Sequence, residues 1–253
     1  MANMKTIGTL VVLVIGIGLF GAVLLFQSQP QYETSYHFEA SYPSEADSYV
    51  SLRVDHLLDC NVTVEFEDNS QLWYSIDVVL YEPGPSITVE ETGDNDISIN
   101  QDATSPVRVK SLDITLGTGY PYRIVLGGST EDESSNVNAV VEIDNGAVLG
   151  GEVVGFSMGG DLHLSIGEDV DISQGGYFVG ASTDVDNVHL MIDLPVGLNG
   201  RLYTTSPNQN LTLVGWSITA EFGGQTNYST GNETVPLLHM RVDSQSVDGT
   251  LIN

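Results

Sequence analysis

The sequence predicts an all-β domain that follows a single N-terminal transmembrane helix. Residues 7–26, IGTLVVLVIGIGLFGAVLLF, contain no charged side chain, and a helix of this length spans the roughly 30 Å hydrocarbon core of a bilayer. From residue 36 onward, short runs of β-branched and aromatic residues are separated by Gly, Asp, Asn and Pro, which is typical of strands and tight turns. The predicted order is a cytoplasmic N-terminus (1–6), the transmembrane helix (7–26), a linker (27–35), an antiparallel β-sandwich-like segment (36–95) and a stacked, β-solenoid-like domain (96–253).

The residues that flank the apolar run predict its orientation. Lys5 precedes the run and the next basic residue is Arg53, so the positive-inside rule places the N-terminus in the cytoplasm and the bulk of the chain outside the cell. Two alternatives keep the export but process the N-terminus. A cleaved secretory signal has a shorter apolar region and a small-residue cleavage site, which FQSQPQYE does not offer. An archaeal pilin-like leader would be cleaved near Gly8.

The charge of the chain limits its partners. The 34 acidic residues against 7 basic ones give a formal charge of -27, which argues against nucleic acid or an anionic membrane surface as a partner. The acidic residues are scattered rather than grouped, so they predict a solvated surface. An acidic, lysine-poor exterior is typical of archaeal envelope proteins, and it indicates the same setting here.

Cys60 is the single cysteine of the chain. An intramolecular disulfide is therefore excluded, and an exported domain without one depends on a sizeable hydrophobic core. In the context VDHLLDCNVTVEF the residue is predicted to be small, buried and next to a strand. Four N-x-S/T sequons are candidate glycosylation sites in an exported chain, and the polar stretch GGQTNYSTGNET favours exposure of the last two. These sites are Asn61, Asn210, Asn227 and Asn232.

Residues 36–95 predict an antiparallel sheet with one face in water. Their runs alternate polar and apolar residues and include the aromatic residues Trp73, Tyr74 and Tyr81. Alternation predicts that one residue of an adjacent aromatic pair faces the core and the other faces solvent. The expected strands in and next to this segment are 36–41, 49–54, 61–67, 72–80, 86–91 and 96–99.

From residue 96 the strands become shorter and the glycines denser. Loosely similar units recur, such as VEIDNGAVLGG, DLHLSIGEDVDISQGG and NVHLMIDLPVGLNG. They predict a stack in which each strand pairs with the coils above and below it, so that backbone groups are satisfied without helices. The expected strands are 107–116, 122–126, 139–143, 151–156, 162–166, 170–172, 178–182, 188–194, 200–204, 211–219 and 237–243.

The stretches LDITLGTGYPYRIVLGGSTED, VVEIDNG, DLHLSIGEDVDIS, VHLMIDLPVGLNGRLYTTS and MRVDSQSVDGTLIN resemble the adhesin-like β-strand-repeat family. That family shares a "toastrack" β fold with the C-terminal domain of certain cell-wall stress proteins. The resemblance covers roughly residues 96–253 and leaves residues 36–91 unexplained. It depends on the recurring spacing of short strands and turns rather than on an invariant motif. It implies a surface-exposed, solenoid-like β module of an envelope-associated protein, and it supplies no catalytic residues.

One motif of the chain matches an enzyme signature. Residues 155–159, GFSMG, match the G-x-S-x-G nucleophile elbow, with Ser157 as the candidate nucleophile and Asp193 and His239 in the required chain order. The elbow needs a helix after the motif, whereas GGDLHLSIGEDVDIS predicts a turn and a strand. The motif therefore predicts a membrane-anchored serine hydrolase only if a helix follows Gly160, and we expect a protein that is not an enzyme.

Metal and cofactor motifs are weak in this sequence. The pairs Asp94/Asp96, Asp169/Asp171 and Asp184/Asp186 and the run 131–133 offer carboxylates for weak Ca²⁺ binding, but each is expected to be a turn former that bonds its own backbone. The five histidines are His37, His56, His163, His189 and His239. His163 and His189 occupy comparable strand positions, which predicts a ladder of imidazoles rather than a metal pair. We expect neither a specific metal site nor a cofactor.

These features together predict a single-pass cell-surface protein with a structural or adhesive role. Its expected partners are the bilayer, through residues 7–26, and other envelope or surface proteins, including further copies of itself. The aromatic candidates for surface binding are Trp73/Tyr74, Tyr177/Phe178 and Trp216. A subunit of a pilus-like filament is a close variant, because stacked strands leave edges open to strand addition. A sensor of envelope stress is a third alternative, and it would need a membrane partner to signal.

Overall fold

The computed structural model shows strands where short apolar runs alternate with turn residues, so the all-β prediction is confirmed. No helix long and apolar enough to cross a membrane occurs among the residues it describes. The predicted transmembrane segment 7–26 lies outside those residues. The structure describes residues 34–42, 50–57, 59–84, 87–92, 96–101, 108–128, 136–150, 154–157, 159–172, 176–181, 185–231 and 236–253.

The strands of the described residues are numbered in chain order. They are β1 (Thr34–Ser41), β2 (Val50–Leu57), β3 (Asn61–Glu67), β4 (Leu72–Leu80), β5 (Ile87–Thr92), β6 (Asp96–Gln101), β7 (Val109–Gly117), β8 (Tyr122–Gly128), β9 (Asn138–Ile143), β10 (Val148–Leu149) and β11 (Val154–Ser157). The chain continues with β12 (Asp161–Ile166), β13 (Asp171–Ile172), β14 (Tyr177–Ala181), β15 (Asn187–Asp193), β16 (Asn199–Thr204), β17 (Asn208–Val214), β18 (Ser217–Phe222), β19 (Gln225–Ser229), β20 (Leu237–Val242) and β21 (Ser246–Ile252).

The strands form two sheets. Sheet A has the order β1-β4-β7-β3-β9-β12-β15-β21-β17, and sheet B has the order β18-β19-β16-β20-β14-β11-β8-β2-β6-β5, with the short strands β10 and β13 paired beside this path. Both sheets contain strands from either side of residue 95, where the sequence predicted a boundary between two segments. The described residues belong to one compact unit, residues 33–253.

The central part of the molecule is a stack of rungs, each made of one strand of sheet B followed by the next strand of sheet A. Within the stack, neighbouring rungs pair in parallel in both sheets. The rungs follow the order β6/β7, β2/β3, β8/β9, β11/β12, β14/β15, β20/β21 and β16/β17. The last rung of the chain, β20/β21, is therefore inserted between two rungs that precede it in sequence.

Apolar side chains of successive rungs lie in register and fill the space between the sheets. In sheet A, Ile143, Ile166, Ile192 and Leu251 form one such row, since each is paired with the next across the ladder. All four are buried. Stacking side chains of similar size at the same register closes the core, and each fully buried side chain of this kind contributes roughly 1.5–3 kcal/mol.

Aromatic side chains connect strands near the N-terminal end of the stack. The Tyr122 hydroxyl donates to the carbonyl oxygen of Trp73 at 2.6 Å, and the Phe66 ring meets the Tyr122 ring edge-on at 5.5 Å. The Tyr74 hydroxyl donates to Oε1 of Glu91 at 2.8 Å, which joins β4 of sheet A to β5 of sheet B. Burial, with help from Glu91, raises the pKa of Tyr74 to about 12.

The C-terminal end of the stack is closed by Trp216 and the β18–β19 hairpin. A Cβ atom placed on Gly200 would overlap the Trp216 ring, so glycine at this point of β16 makes room for the indole. The Tyr228 hydroxyl donates to Oε1 of Gln209 at 2.8 Å and joins β19 to β17. Because terminal units of a stack have no further unit to cover them, such caps keep the core from solvent.

Several details of the sequence interpretation require correction. Trp73 and Tyr74 are both buried, with exposed fractions of 4% and 6%, because the β1–β4 register shifts between Ala40 and Ser41 and Trp73 is skipped by the pairing. Trp216 is 6% exposed and is a core residue rather than a surface aromatic. The expected strand 211–219 is two strands, broken between β17 and β18. Strands β19 and β21 were missed because polar residues and Gly249 dilute their apolar pattern.

Candidate functional site

The outward side of sheet A is acidic. Its strands alternate buried residues with exposed or half-exposed polar ones, and no arginine occurs among the outward side chains described on this sheet. The carboxylates at these outward positions lie on eight different strands. They are Glu39, Glu65, Glu67, Asp77, Asp113, Glu142, Asp161, Asp193 and Asp248.

One register position runs across all nine strands of sheet A, and we call its residues the transverse row. From β1 to β17 the row consists of His37, Asp77, Asp113, Thr63, Val140, His163, His189, Asp248 and Asn210. Residues far apart in sequence meet here because every rung contributes the same strand position. The row holds a His–Asp contact near each end, which no local sequence pattern indicates.

The predicted ladder of His163 and His189 is present. Their ring centroids are 5.3 Å apart, and His189 Nδ1 bonds the Asp248 carboxylate on the next strand. In the part of the chain that the structure describes, no group of three His, Cys, Asp or Glu residues is arranged to hold a metal ion. The two imidazole rings lie side by side on neighbouring strands, and the Asp248 carboxylate bonds one of them.

His37 lies at the other end of the transverse row, and its titration can be measured. Its Nδ1 lies 2.8 Å from Oδ1 of Asp77 and its Nε2 lies 3.4 Å from Oε2 of Glu39, and these two hydrogen bonds raise the pKa of His37 above its ordinary value of 6.5. A raised pKa in the folded state means that the contact favours folding below pH 6.5 and that this contribution is lost as the pH rises through the folded-state value.

We expect Asp77→Asn to lower the pKa of His37 in an NMR titration, because Asp77 is the largest cause of the shift. Asp248→Asn, at the opposite end of the transverse row, is the matched control and should leave the His37 titration unchanged. An unaltered His37 titration in Asp77→Asn would contradict the assigned cause.

The outward side of sheet B carries four of the five arginines in the chain. Outward positions of β2, β8, β16 and β20 hold Arg53, Arg123, Arg201 and Arg241, which alternate with buried residues. On β2, β8, β14, β16 and β20, the described outward side chains include no carboxylate. We call this surface the arginine face. Exposed carboxylates lie on the neighbouring strands β5 and β6 of the same sheet, at Glu90 and Asp96.

Aromatic side chains lie among the arginines at the β14–β20–β16 side of this face. The Arg241 guanidinium carbon lies 5.6 Å from the centroid of the Tyr203 ring, within the range of a cation–π contact. Arg241 Nε also donates to Oδ2 of Asp243 at 2.6 Å, so two contacts fix this side chain. The Phe178 ring meets the His239 ring edge-on at 5.2 Å, and Phe178 is outward while Tyr177 is buried, as alternation predicts.

The sequons differ in accessibility. Asn61 begins β3 and Asn210 lies in β17, and both are exposed on the outward side of sheet A. Asn227 in β19 is only half-exposed, and its Oδ1 is buried without a hydrogen-bond partner. Asn232 lies outside the described residues. Asn227 is therefore less exposed than the sequence predicted. Asn61 and Asn210 are the more accessible glycosylation candidates.

The structure does not bring together the residues of the predicted catalytic triad. Ser157 ends β11, and β12 begins at Asp161, so a strand rather than a helix follows Gly160. His239 lies on the outward side of sheet B, two strands away across β14, whereas Asp193 lies on the outward side of sheet A. A nucleophile elbow requires the strand–turn–helix geometry that this segment lacks.

Of the predicted turn carboxylates, Asp169 bonds a backbone N–H group, whereas Asp186 accepts a hydrogen bond from the Gln245 side chain at 2.7 Å. Asp144 accepts from the Asn145 N–H at 2.8 Å, and Asp169 accepts from the Gly146 N–H at 3.1 Å. A hydrogen bond between these two carboxyl groups, from turns of neighbouring rungs, raises the pKa of Asp169 and lowers that of Asp144. The predicted residues Asp94, 131–133 and Asp184 lie outside the described residues.

Cys60 is a free, buried residue next to the start of β3, which confirms the prediction for it. Burial raises the pKa of its thiol to about 12. At neutral pH the group is protonated and behaves as a small core side chain rather than as a nucleophile.

Sequence reasoning missed the arginine face. Its four arginines are separated by long stretches of sequence, and each stands alone in its strand. The sequence did show that each arginine occupies a polar position in a strand that alternates polar and apolar residues. Which of these positions share a side of the same sheet depends on strand order, which the sequence did not reveal.

Comparisons with known proteins identify the fold. No family model matches the chain, and no curated protein matches it. Among solved structures, a "putative cell adhesion protein" from Clostridium sporogenes has 12% sequence identity and a TM-score of 0.53, over 87% of this chain and 99% of that chain. A "putative adhesin" from Parabacteroides distasonis covers 88% of this chain and 98% of its own at 11% identity and a TM-score of 0.29. A "putative adhesin" from Parabacteroides merdae covers 87% and 96% at 10% identity and a TM-score of 0.28.

Proposed function

We propose that this chain is a single-pass, membrane-anchored cell-surface protein whose β domain has an adhesive role. In this proposal residues 7–26 span the membrane, the N-terminus is cytoplasmic, and the β domain faces the exterior of an archaeal envelope. Other envelope components are held on the outward faces of the two sheets. The role is one of binding and needs neither a cofactor nor a catalytic step.

The observation that carries the proposal is the separation of charge between two broad faces. Four arginines lie on neighbouring strands of sheet B, whereas the outward side of sheet A is rich in carboxylates, although strands β5 and β6 of sheet B also carry exposed carboxylates at Glu90 and Asp96. A face rich in one sign of charge attracts a complementary partner and disfavours partners of like charge.

The shared fold supports the proposal in a second way. The C. sporogenes structure described as a cell adhesion protein matches nearly its whole length to this chain. Function does not follow from fold alone, so the likeness contributes only the expectation that a stack of this shape serves as a surface module.

Fractionation and adhesion tests address the proposal directly. We expect the chain in the membrane fraction of its source cells, with the β domain open to protease added to intact cells. Beads coated with the purified protein should capture envelope fragments of those cells, whereas beads coated with the heat-unfolded protein should not. An intact chain found dissolved in the cytosol, or equal capture by both kinds of bead, would contradict the proposal.

A filament subunit is a second candidate, and the edges of sheet A favour it. Strands β17 and β1 are the two edge strands of sheet A. Within the described residues, each pairs on one side, β17 with β21 and β1 with β4. Near the β17 edge, Val214 and Ile218 are 50% and 51% exposed. Strand β1 is antiparallel to β4, which is antiparallel to β7, so β1 has the same direction as β17. Copies related by translation would pair β17 with β1 in parallel.

Electron microscopy of the full chain tests this second candidate. A filament that forms through the β17 edge should disappear when Val214 and Ile218 are both replaced by Lys, because charge on an edge opposes strand addition. The matched control is Val196→Lys, an exposed apolar residue in the turn between β15 and β16. Filaments that persist in the edge variant would exclude this mode of assembly.

A further inference from the structure

Two histidines lie next to each other on the outward side of sheet A. His163 on β12 and His189 on β15 are paired at one register position, and their ring centroids are 5.3 Å apart. His163 is exposed, and the side chain of His189 is 41% exposed, so both rings are open to solvent. The sequence predicted the ladder but gave no measure of how closely the two rings approach each other.

The spacing of the two rings is that of two imidazoles bound to one tetrahedral metal ion. A Zn–N bond is about 2.0–2.1 Å long and a ring nitrogen lies about 1.2 Å from its centroid, so each centroid lies about 3.2 Å from the ion. Two such rings at the tetrahedral angle have their centroids about 5.2 Å apart. The observed distance of 5.3 Å therefore allows one ion to contact both rings without movement of either strand.

The Asp248 carboxylate orients one of the two rings. It lies on the neighbouring strand β21 and accepts a hydrogen bond from Nδ1 of His189. Because Nδ1 then carries the proton, Nε2 of His189 keeps its lone pair free, and metal-binding histidines usually have such a carboxylate on their other nitrogen. Among the described residues, the His163 ring contacts His189 and has no hydrogen-bond partner. Each ring therefore has a nitrogen available to a metal ion.

We propose that His163 and His189 together bind a divalent transition-metal ion that prefers tetrahedral nitrogen ligands, such as Zn²⁺. The pair supplies two ligands, and water or a donor from another molecule fills the remaining positions. Two protein ligands make a weaker site than a group of three or more, and no such group occurs in the part of the chain that the structure describes. The proposal goes beyond the adhesive role and does not depend on it.

The surface around the pair favours a cation. Asp161 and Asp193 lie on the same two strands as the histidines, and Glu142 on β9 also faces outward. These carboxylates raise the local concentration of cations, but carboxylate oxygens suit Ca²⁺ and Mg²⁺, whereas imidazole nitrogens suit transition metals. The two histidines, rather than the acidic surface, therefore determine which cation is bound at this point of sheet A.

Titration of the full chain with Zn²⁺ in neutral detergent tests the proposal. The protein is purified without a histidine tag, and an excess of Ca²⁺ occupies carboxylate sites on the acidic surface. We expect calorimetry to give one Zn²⁺ per chain, and we expect Zn²⁺ to shift the NMR signals of the His163 and His189 rings and not those of His37. The affinity should fall at mildly acidic pH, because a protonated imidazole cannot bind a metal ion.

Variants of the pair and of its carboxylate separate the two roles. Asp248→Asn removes the support of His189 and should weaken Zn²⁺ binding by about tenfold. His163→Gln and His189→Gln each remove a ligand and should weaken binding further. His37→Gln is the matched control, because His37 is an exposed histidine that also bonds a carboxylate, Asp77, at the opposite end of the transverse row. Tryptophan emission verifies that each variant is folded.

Two results would overturn the proposal directly: no Zn²⁺ binding in the presence of Ca²⁺, or an affinity that His163→Gln and His189→Gln leave unchanged. A loss of equal size in His37→Gln would show that Zn²⁺ binds single exposed histidines rather than the pair, and would overturn it as well. None of these results changes the capture of envelope fragments by coated beads, which tests the adhesive function separately.

Discussion

Ending the chain after Pro236 is expected to detach the C-terminal strands from the rest of the stack. Strand β20 lies between β14 and β16, and β21 lies between β15 and β17. Without them, β16 and β17 lose the ladders that join them to earlier rungs. The core also loses five buried side chains, each worth roughly 1.5–3 kcal/mol. These are Leu238, Met240, Val242, Val247 and Leu251.

The two tryptophans report this change separately. Trp216 caps the C-terminal end and should become exposed in the truncated chain, with a red shift of its emission. Trp73 lies in β4, which pairs with β1 and β7 and not with the deleted strands, so its emission should change little. Trp73→Phe and Trp216→Phe backgrounds isolate each signal.

Adding back a peptide of residues 237–253 is the control for the truncation. If the gap between the rungs is the only defect, the peptide should insert in parallel on both sides and restore the emission of Trp216. Unchanged Trp216 emission in the truncated chain would show that the hairpin and the Trp216 contacts hold the end without β20 and β21, and would contradict the prediction.

Replacement of Gly249 by Ala is the point substitution with the largest expected effect. Gly249 lies in the middle of β21 with a φ of 127°, a backbone conformation that residues with a side chain rarely adopt. A Cβ atom at this position would also overlap the carbonyl oxygen of Leu190 on β15. Backbone strain costs about 1–2 kcal/mol, and separation of two paired strands adds to it. We expect the free energy of unfolding in urea to fall by about 3–5 kcal/mol.

Gly197→Ala is the matched control for this substitution. Gly197 has a φ of 88° in the turn between β15 and β16, and a Cβ atom there would meet nothing within 4 Å. The control carries the backbone strain without the overlap, so its loss should be limited to about 1–2 kcal/mol. Equal losses in the two variants would show that the contact with Leu190 is relieved by movement of the strands and contributes little.

The sequence was a good guide wherever a strand carried its own apolar pattern. DLHLSI alternates strictly and NVHLMI does so except at Met191, and they form β12 and β15 with their histidines in register, as predicted. The burial of Cys60 followed from its apolar surroundings in the same way. Alternation identifies these elements because the side chains of one strand face opposite sides of the sheet, whatever the strand pairs with.

The pattern failed where the partner strand decided the structure. QTNYS and SVDGTLI are polar or glycine-containing and were not predicted as strands, yet they form β19 and β21. Strand β21 forms because β15 and β17 each pair with it over its whole length. Trp73 and Tyr74 are buried together because a register shift against β1 overrides alternation.

The sequence alone determined that residues beyond 36 form strands and turns around an apolar core, because hydrophobic period and turn chemistry are local properties of the chain. Only the tertiary structure decided that β20/β21 is inserted between earlier rungs, and that four arginines share one sheet while His37, His163 and His189 lie in one row of the other. Both results depend on strand order and register, which are set by contacts between residues distant in sequence.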